Sequence, residues 1–102
     1  MDTPEKKVKK AVVKELERLG VYHFFAAANG YGRAGIPDII CCLNGQFLAI
    51  ECKAGKNKTT ALQDREMQRI DAAGGRTLVV TDDPTTFEVL GYVLQNMKDP
   101  HT

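Results

Sequence analysis

The sequence predicts a single α/β domain in the order αβββαβα, with one mixed sheet covered by helices. Three features predict it. Two β-rich apolar runs flank Asn44-Gly45, a strong short-range hairpin signal. Segments on either side of them carry apolar residues at helical spacing. A further short apolar run, Arg76 to Val80, follows the second helical segment, so an antiparallel meander is followed by a helical crossover to one more strand. At 102 residues the chain, 1–102, is one domain, long enough for a real core.

The elements follow in order. Asp2 or Thr3 can cap a first helix, Pro4 suits its first position, and Val8, Val12, Leu16 and Leu19 form an apolar stripe ending near Gly20. Val21 to Ala28 is apolar and aromatic enough for a strand, and Asn29 to Gly35 is a glycine-rich loop. The hairpin lies within GIPDIICCLNGQFLAIECKAG, Gly35 to Gly55, with a two-residue type I′ turn. Both of its strands are apolar on both faces, which places them at the centre of the sheet. Ala54 to Thr60 is a polar loop. From about Thr60 to Ala73 a second helix turns Leu62, Met67 and Ile70 inward and closes at Gly74-Gly75. Arg76 to Val80 is a short buried strand. Asp83-Pro84 opens a last helix with Phe87, Leu90, Val93, Leu94 and Met97 on its inner side.

Composition excludes several classes. There is no Trp, and no apolar run approaches the ~20 residues of a membrane helix. The N-terminus MDTPEKKVKK has charge but no apolar signal core, so a cytoplasmic protein with no membrane association is expected. Three cysteines, two of them adjacent, form neither a disulfide framework nor a zinc spacing, and Cys41 and Cys42 are expected as buried small apolar residues on opposite faces. The net charge of +1 argues against an indiscriminate nucleic-acid coat. The bases are nevertheless clustered: Lys6, Lys7, Lys9, Lys10 and Lys14 crowd the first helix, and Lys53, Lys56, Lys58, Arg65 and Arg69 follow the hairpin. Bases flanking an acidic centre suit a phosphate backbone, and Arg33, Lys56 and Lys58 are the candidate contacts.

The acidic centre comes from the hairpin itself. Fixing the Asn44-Gly45 turn sets Leu43 against Gln46, Ile39 against Ile50, and Asp38 against Glu51. Directly opposed residues have Cβ atoms about 4.5–5.5 Å apart, and Lys53 joins the same face one step on. Two carboxylates near 4 Å repel by roughly 4 kcal/mol at an effective dielectric of about 20. The geometry leaves two readings open, an ion-pair network with Lys53 or a divalent cation shared by the two acids.

Other motifs fail on context. GYGRAG, Gly30 to Gly35, matches the dinucleotide pattern, but Pro37 and a strand follow where a helix should begin. AGKNKTT lacks the glycine and the Ser or Thr that a phosphate loop needs. His23 lies in the first strand and His101 in the tail, and no Ser or Cys nucleophile is placed with either.

The motifs that remain are GIPD, with Pro37-Asp38, and IECK, read as Glu51-x-Lys53. Through them, with Glu5 near the start of the first helix, Gln63 after a lysine-rich loop and GG-x-x-LVV, the chain resembles the PD-(D/E)XK nuclease superfamily. The resemblance is closest to stand-alone VRR-NUC domains related to Holliday-junction resolvases, whose restriction-endonuclease-like core has the same element order. It implies Asp38 as central metal ligand, with Glu51, the carbonyl of Cys52 and Glu5 as further ligands. Lys53 would position or activate the attacking water and stabilise charge on the phosphate, with Gln63 in support. By helical angle alone Glu15 is as well oriented as Glu5. The implied activity is a Mg²⁺- or Mn²⁺-dependent endodeoxyribonuclease, a homodimer acting on branched or four-way-junction DNA. Oxygen ligands favour those ions over zinc. The alternative is a noncatalytic nucleic-acid-binding module on the same fold.

Overall fold

The computed structural model describes residues 2–26 and 34–99. Its elements run α1 (Pro4–Arg18), β1 (Tyr22–Phe25), β2 (Ile39–Leu43), β3 (Gln46–Cys52), α2 (Ala61–Ala72), β4 (Arg76–Val80) and α3 (Pro84–Lys98), which is the expected αβββαβα order. The end of the predicted first strand, most of the glycine loop with Arg33, and the tail with His101 lie outside the described residues.

The sheet has the order β1-β2-β3-β4, so the hairpin strands are its two central members. β1 and β2 pair antiparallel, as do β2 and β3, while β4 runs parallel to β3 after the α2 crossover. The hairpin register matches the expectation from Leu43 opposite Gln46 to Ile39 opposite Ile50. Asn44 (φ 54°) and Gly45 (φ 76°) both have positive φ, as a type I′ turn requires. The turn is anchored to the end of α3: Asn44 Nδ2 and Gln46 Nε2 donate to the Met97 carbonyl at 3.3 and 3.2 Å. Those bonds satisfy a carbonyl that the last helical turn leaves without a partner.

One sheet face, carrying Ile39, Cys41, Leu48, Ile50, Cys52 and Val80, is buried under α1 and α3. Val8, Val12 and Leu16 of α1 and Leu90, Leu94 and Met97 of α3 complete that core. The helix ends form as their sequences dictate. The Thr3 side chain accepts from Lys6 N, with Pro4 at the first position, and Asp83 accepts from Thr85 N ahead of α3.

The opposite face is only partly covered. Ala49 and Glu51 are buried, and α2 lies beside Phe47, where Ile70, Ala73 and Gly75 line a shallow pocket. Toward β1 the same face leaves Tyr22 (68% exposed), Phe24 (49%) and Phe47 (42%) open to solvent.

Three expectations are corrected here. Leu62 does not turn inward: it is 51% exposed, Met67 and Ile70 are half-buried, and the buried residue of α2 is Glu66. The reason is the approach of Gly35, which meets the Leu62 backbone and leaves the Leu62 side chain at the rim beside Ala34, Arg65 and Arg69. β4 is buried fully only at Val80 because it is an edge strand, with Val79 38% exposed. Cys42 is exposed, whereas Cys41 and Cys52 are buried, since Cys42 falls on the partly covered face.

Gly35 packs its backbone directly against the first turn of α2. At φ +86° an added Cβ would lie 2.4 Å from the Leu62 carbonyl oxygen and 2.8 Å from Gln63 N, whereas Gly55 (φ +60°) faces open space. Gly35→Ala is therefore expected to cost about 2–4 kcal/mol in urea unfolding, against about 1 kcal/mol for Gly55→Ala, whose only penalty is the left-handed backbone. Equal destabilisation in the two variants would refute the close packing of Gly35 on α2.

Candidate functional site

At the open end of the hairpin the backbone ladder stops, and two acids continue it. Asp38 N–H donates to Glu51 Oε1 at 3.2 Å, and Cys52 N–H donates to Asp38 Oδ2 at 2.9 Å. Each carboxylate thus binds the backbone of the strand carrying the other. Pro37, fully buried, holds the chain ahead of Asp38, and the Asp38 carbonyl accepts from Ala26 N–H at 2.9 Å.

The two acids sit in different surroundings. Glu51 is 2% exposed, while the Asp38 side chain keeps 24% of its surface. Burial pushes the Glu51 carboxyl up to about 7 from an ordinary value of 4.5, and the adjacent Asp38 charge adds to the rise. The Lys53 ammonium, 3.4 Å from Glu51 Oε2, and the Asp38 N–H bond pull the other way.

Gln63 reaches the same carboxylate through a capping box. Its Oε1 accepts from Thr60 N–H at 2.9 Å while Thr60 Oγ1 accepts from Gln63 N–H, which fixes α2's first turn. With the amide oxygen committed to the cap, the Gln63 NH₂ group points at Glu51 Oε2, 2.8 Å away.

The structure thus brings Asp38, Glu51, Lys53 and Gln63 together. Glu5 is on the same side but apart: it lines a cleft of about 340 Å³ with Pro4, Ala54 and Asn57, and its charge reaches the Cys52 thiol. That thiol is raised to about 12, chiefly by burial. Glu15 is elsewhere, bound to Arg18 at 2.5 Å. Lys56 and Lys58 are exposed on the loop after the hairpin, and Arg33 lies outside the described residues. Among the described residues no three His, Cys, Asp or Glu side chains form a ready metal-binding group.

Sequence reasoning missed Lys9. Its ammonium lies 3.5 Å from Asp38 Oδ1, a contact from α1 across to the hairpin. The signal in the sequence was its position one helical turn after Glu5, on the face that meets the sheet.

A divalent cation fits the donor set of the acid pair. Asp38 Oδ1 and Glu51 Oε2 have ammonium contacts of only 3.5 and 3.4 Å, longer than a strong charge-assisted hydrogen bond. Hard oxygen donors of this kind suit Mg²⁺ or Mn²⁺.

No protein-family model matches the chain. A curated protein of Acyrthosiphon pisum secondary endosymbiont phage 1, named "Putative nuclease p44", is 35% identical over 79 residues, which cover 74% of this chain and 81% of the phage protein. No helix among the described residues is long and apolar enough to cross a membrane.

The Glu51 environment has a measurable consequence in the metal-free protein. A carboxyl that titrates near 7 when folded and near 4.5 when unfolded adds stability that is fully present below about pH 4.5 and is lost as pH rises through 7, on the order of 3 kcal/mol. Carbon-detected NMR in chelator should place the Glu51 midpoint near 7, lower in Asp38→Asn and higher in Lys53→Met. A midpoint in the ordinary glutamate range would show that water reaches the carboxyl freely.

Proposed function

The chain belongs to the nuclease family of that phage protein, and we propose that it is a metal-dependent endonuclease that hydrolyses DNA phosphodiester bonds at the Asp38–Glu51–Lys53 cluster. The single observation that carries this reading is the meeting, with a lysine at one end of the hairpin, of two carboxylates that each accept from the backbone of the other's strand. Lys53 and Lys9 each reach one of the acids, but only at 3.4 and 3.5 Å, contacts loose enough for the carboxylate oxygens to take up a cation as well.

Asp38 Oδ1 and the Glu51 carboxylate would hold Mg²⁺ or Mn²⁺, with the Cys52 carbonyl and Glu5 as the further ligands that the PD-(D/E)XK and VRR-NUC resemblance implies. Such an ion supplies Lewis-acid polarisation of the phosphoryl group and acidifies water. In the reaction a water oxygen bonds to phosphorus and gives up a proton, while the bond from phosphorus to one nucleoside oxygen breaks and that oxygen takes up a proton and leaves as an alcohol. Lys53, its side chain 13% exposed, presents an ammonium able to hold the attacking water and to stabilise charge on the phosphate oxygens. Gln63 keeps Glu51 in one orientation, because its own amide is locked by Thr60.

The preferred substrate in this reading is branched DNA, with four-way junctions as the leading case, cut by a homodimer. Two-fold symmetry of a junction calls for two cuts placed symmetrically, and a C2 pair of small domains supplies them. The exposed strip of Tyr22, Phe24 and Phe47 beside the open edge of β1 is apolar surface that a second copy could cover.

Cleavage of linear duplex, flap and four-way-junction DNA with Mg²⁺, Mn²⁺ or EDTA tests the activity. Divalent-dependent cutting with preference for the junction is expected, and Asp38→Ala or Lys53→Ala should lower the rate by at least about 10³-fold. Asp38→Ala also removes the bond to Cys52 N–H and about 1–2 kcal/mol of stability, so folding is checked alongside. Normal turnover by folded Lys53→Ala would sink the catalytic assignment.

Light scattering is expected to give twice the chain mass, with Tyr22→Asp/Phe24→Asp shifting the protein to the monomer. A monomeric native protein that still cuts junctions in symmetric pairs would refute the dimer.

A further inference from the structure

We propose that the groove between α1 and β1 binds the sugar–phosphate backbone of one DNA strand running out of the acid pair, with Phe25 as the platform for a base. This rests on the nuclease reading and extends it to a substrate-binding surface away from the hydrolytic residues.

The groove has a volume of about 560 Å³, with Lys6, Lys9, Lys10 and Lys14 along it and Val13 and Phe25 as its apolar lining. Among the described residues Glu17 is the one acid in its lining. Four ammonium groups line it with Glu17, and since Lys9 and Lys10 also touch Asp38 and Asp2, the local positive excess rests on Lys6 and Lys14. Lys6, Lys10 and Lys14 recur every four residues, roughly 6 Å apart along the axis, a repeat suited to successive phosphates of a strand. Lys10 also pairs with Asp2 at 2.5 Å, an exposed contact worth little in water that a phosphate can replace.

Lys9 ties the groove to the acid pair. It lines the groove and at the same time lies 3.5 Å from Asp38 Oδ1, so a strand held by the groove leads directly to the Asp38–Glu51 pair. The Phe25 ring, 54% exposed, offers a base an accessible aromatic face, and such stacking is indifferent to sequence. An acidic peptide would meet the lysines equally well but would make no use of that face.

The test is fluorescence anisotropy of a short fluorescein-labelled oligodeoxythymidylate in EDTA, where no cleavage intervenes. Lys6→Gln/Lys14→Gln should bind about tenfold more weakly, and the slope of log affinity against log salt should fall by about 1.4, that is about 0.7 for each phosphate that the variant no longer neutralises. Phe25→Leu keeps the apolar lining and should weaken binding about fivefold or more; Lys98→Gln on α3 should bind as the native protein does. Unchanged affinity in both groove variants, or equal displacement of the oligonucleotide by polyglutamate, overturns the proposal. Native protein that cuts DNA while the groove variants bind normally overturns the groove and leaves the nuclease standing. Groove-dependent binding by a protein that never cuts overturns the nuclease and leaves the groove as a nucleic-acid site.

Discussion

The reciprocal clasp between Asp38 and Glu51 is the constraint on which the site depends. Two side-chain-to-backbone bonds take over where the antiparallel ladder of β2 and β3 ends, so the acids hold the strands and the strands hold the acids. Neither carboxylate can turn away from the other without leaving the N–H of Asp38 or Cys52 unsatisfied, which is costlier at the buried Cys52. The repulsion between them is therefore retained in the folded state. Lys53 and Lys9 relieve it partially from two sides, one from the hairpin and one from α1.

Supporting residues arrive from structural devices that have other reasons to exist. The capping box that starts α2 also orients the Gln63 amide, and Gly35 lets the first turn of that helix come close enough for the amide to reach Glu51. A helix start, a glycine contact and a hydrogen bond to the acid are thus one mechanical unit. Loosening any of them changes the orientation of Glu51 without touching Glu51 itself.

Most of the hairpin was legible because a two-residue Asn-Gly turn fixes register by local backbone geometry, and register alone brings Asp38 beside Glu51. Less legible were features set by which faces are covered. The apolar pattern of α2 points Leu62 inward, yet the close approach of Gly35 to its backbone leaves the side chain at the rim, and Glu66 is the buried residue. Lys9 reads as one lysine in a basic run, and only the crossing of α1 over the hairpin end sets it on Asp38. Thr60-x-x-Gln63 is a readable capping signature that would have oriented Gln63 without any family resemblance. Both Glu5 and Glu15 lie toward the apolar stripe of α1, so only the family resemblance preferred Glu5 in the sequence; the coordinates place Glu5 in the cleft with Ala54 and Glu15 on Arg18.

The Asn44-Gly45 turn, tied to the Met97 carbonyl, is a ruler for a site at the far end of its two strands. One residue added within that turn would shift the pairing by a step and exchange the two faces of a strand, sending Glu51 toward the apolar core and parting it from Asp38. Added length in the exposed segment Gly55 to Lys58 would leave the pairing alone. The chain's tolerance of insertions is thus distributed inversely to intuition: it is high beside the acids and lowest at the tip most distant from them.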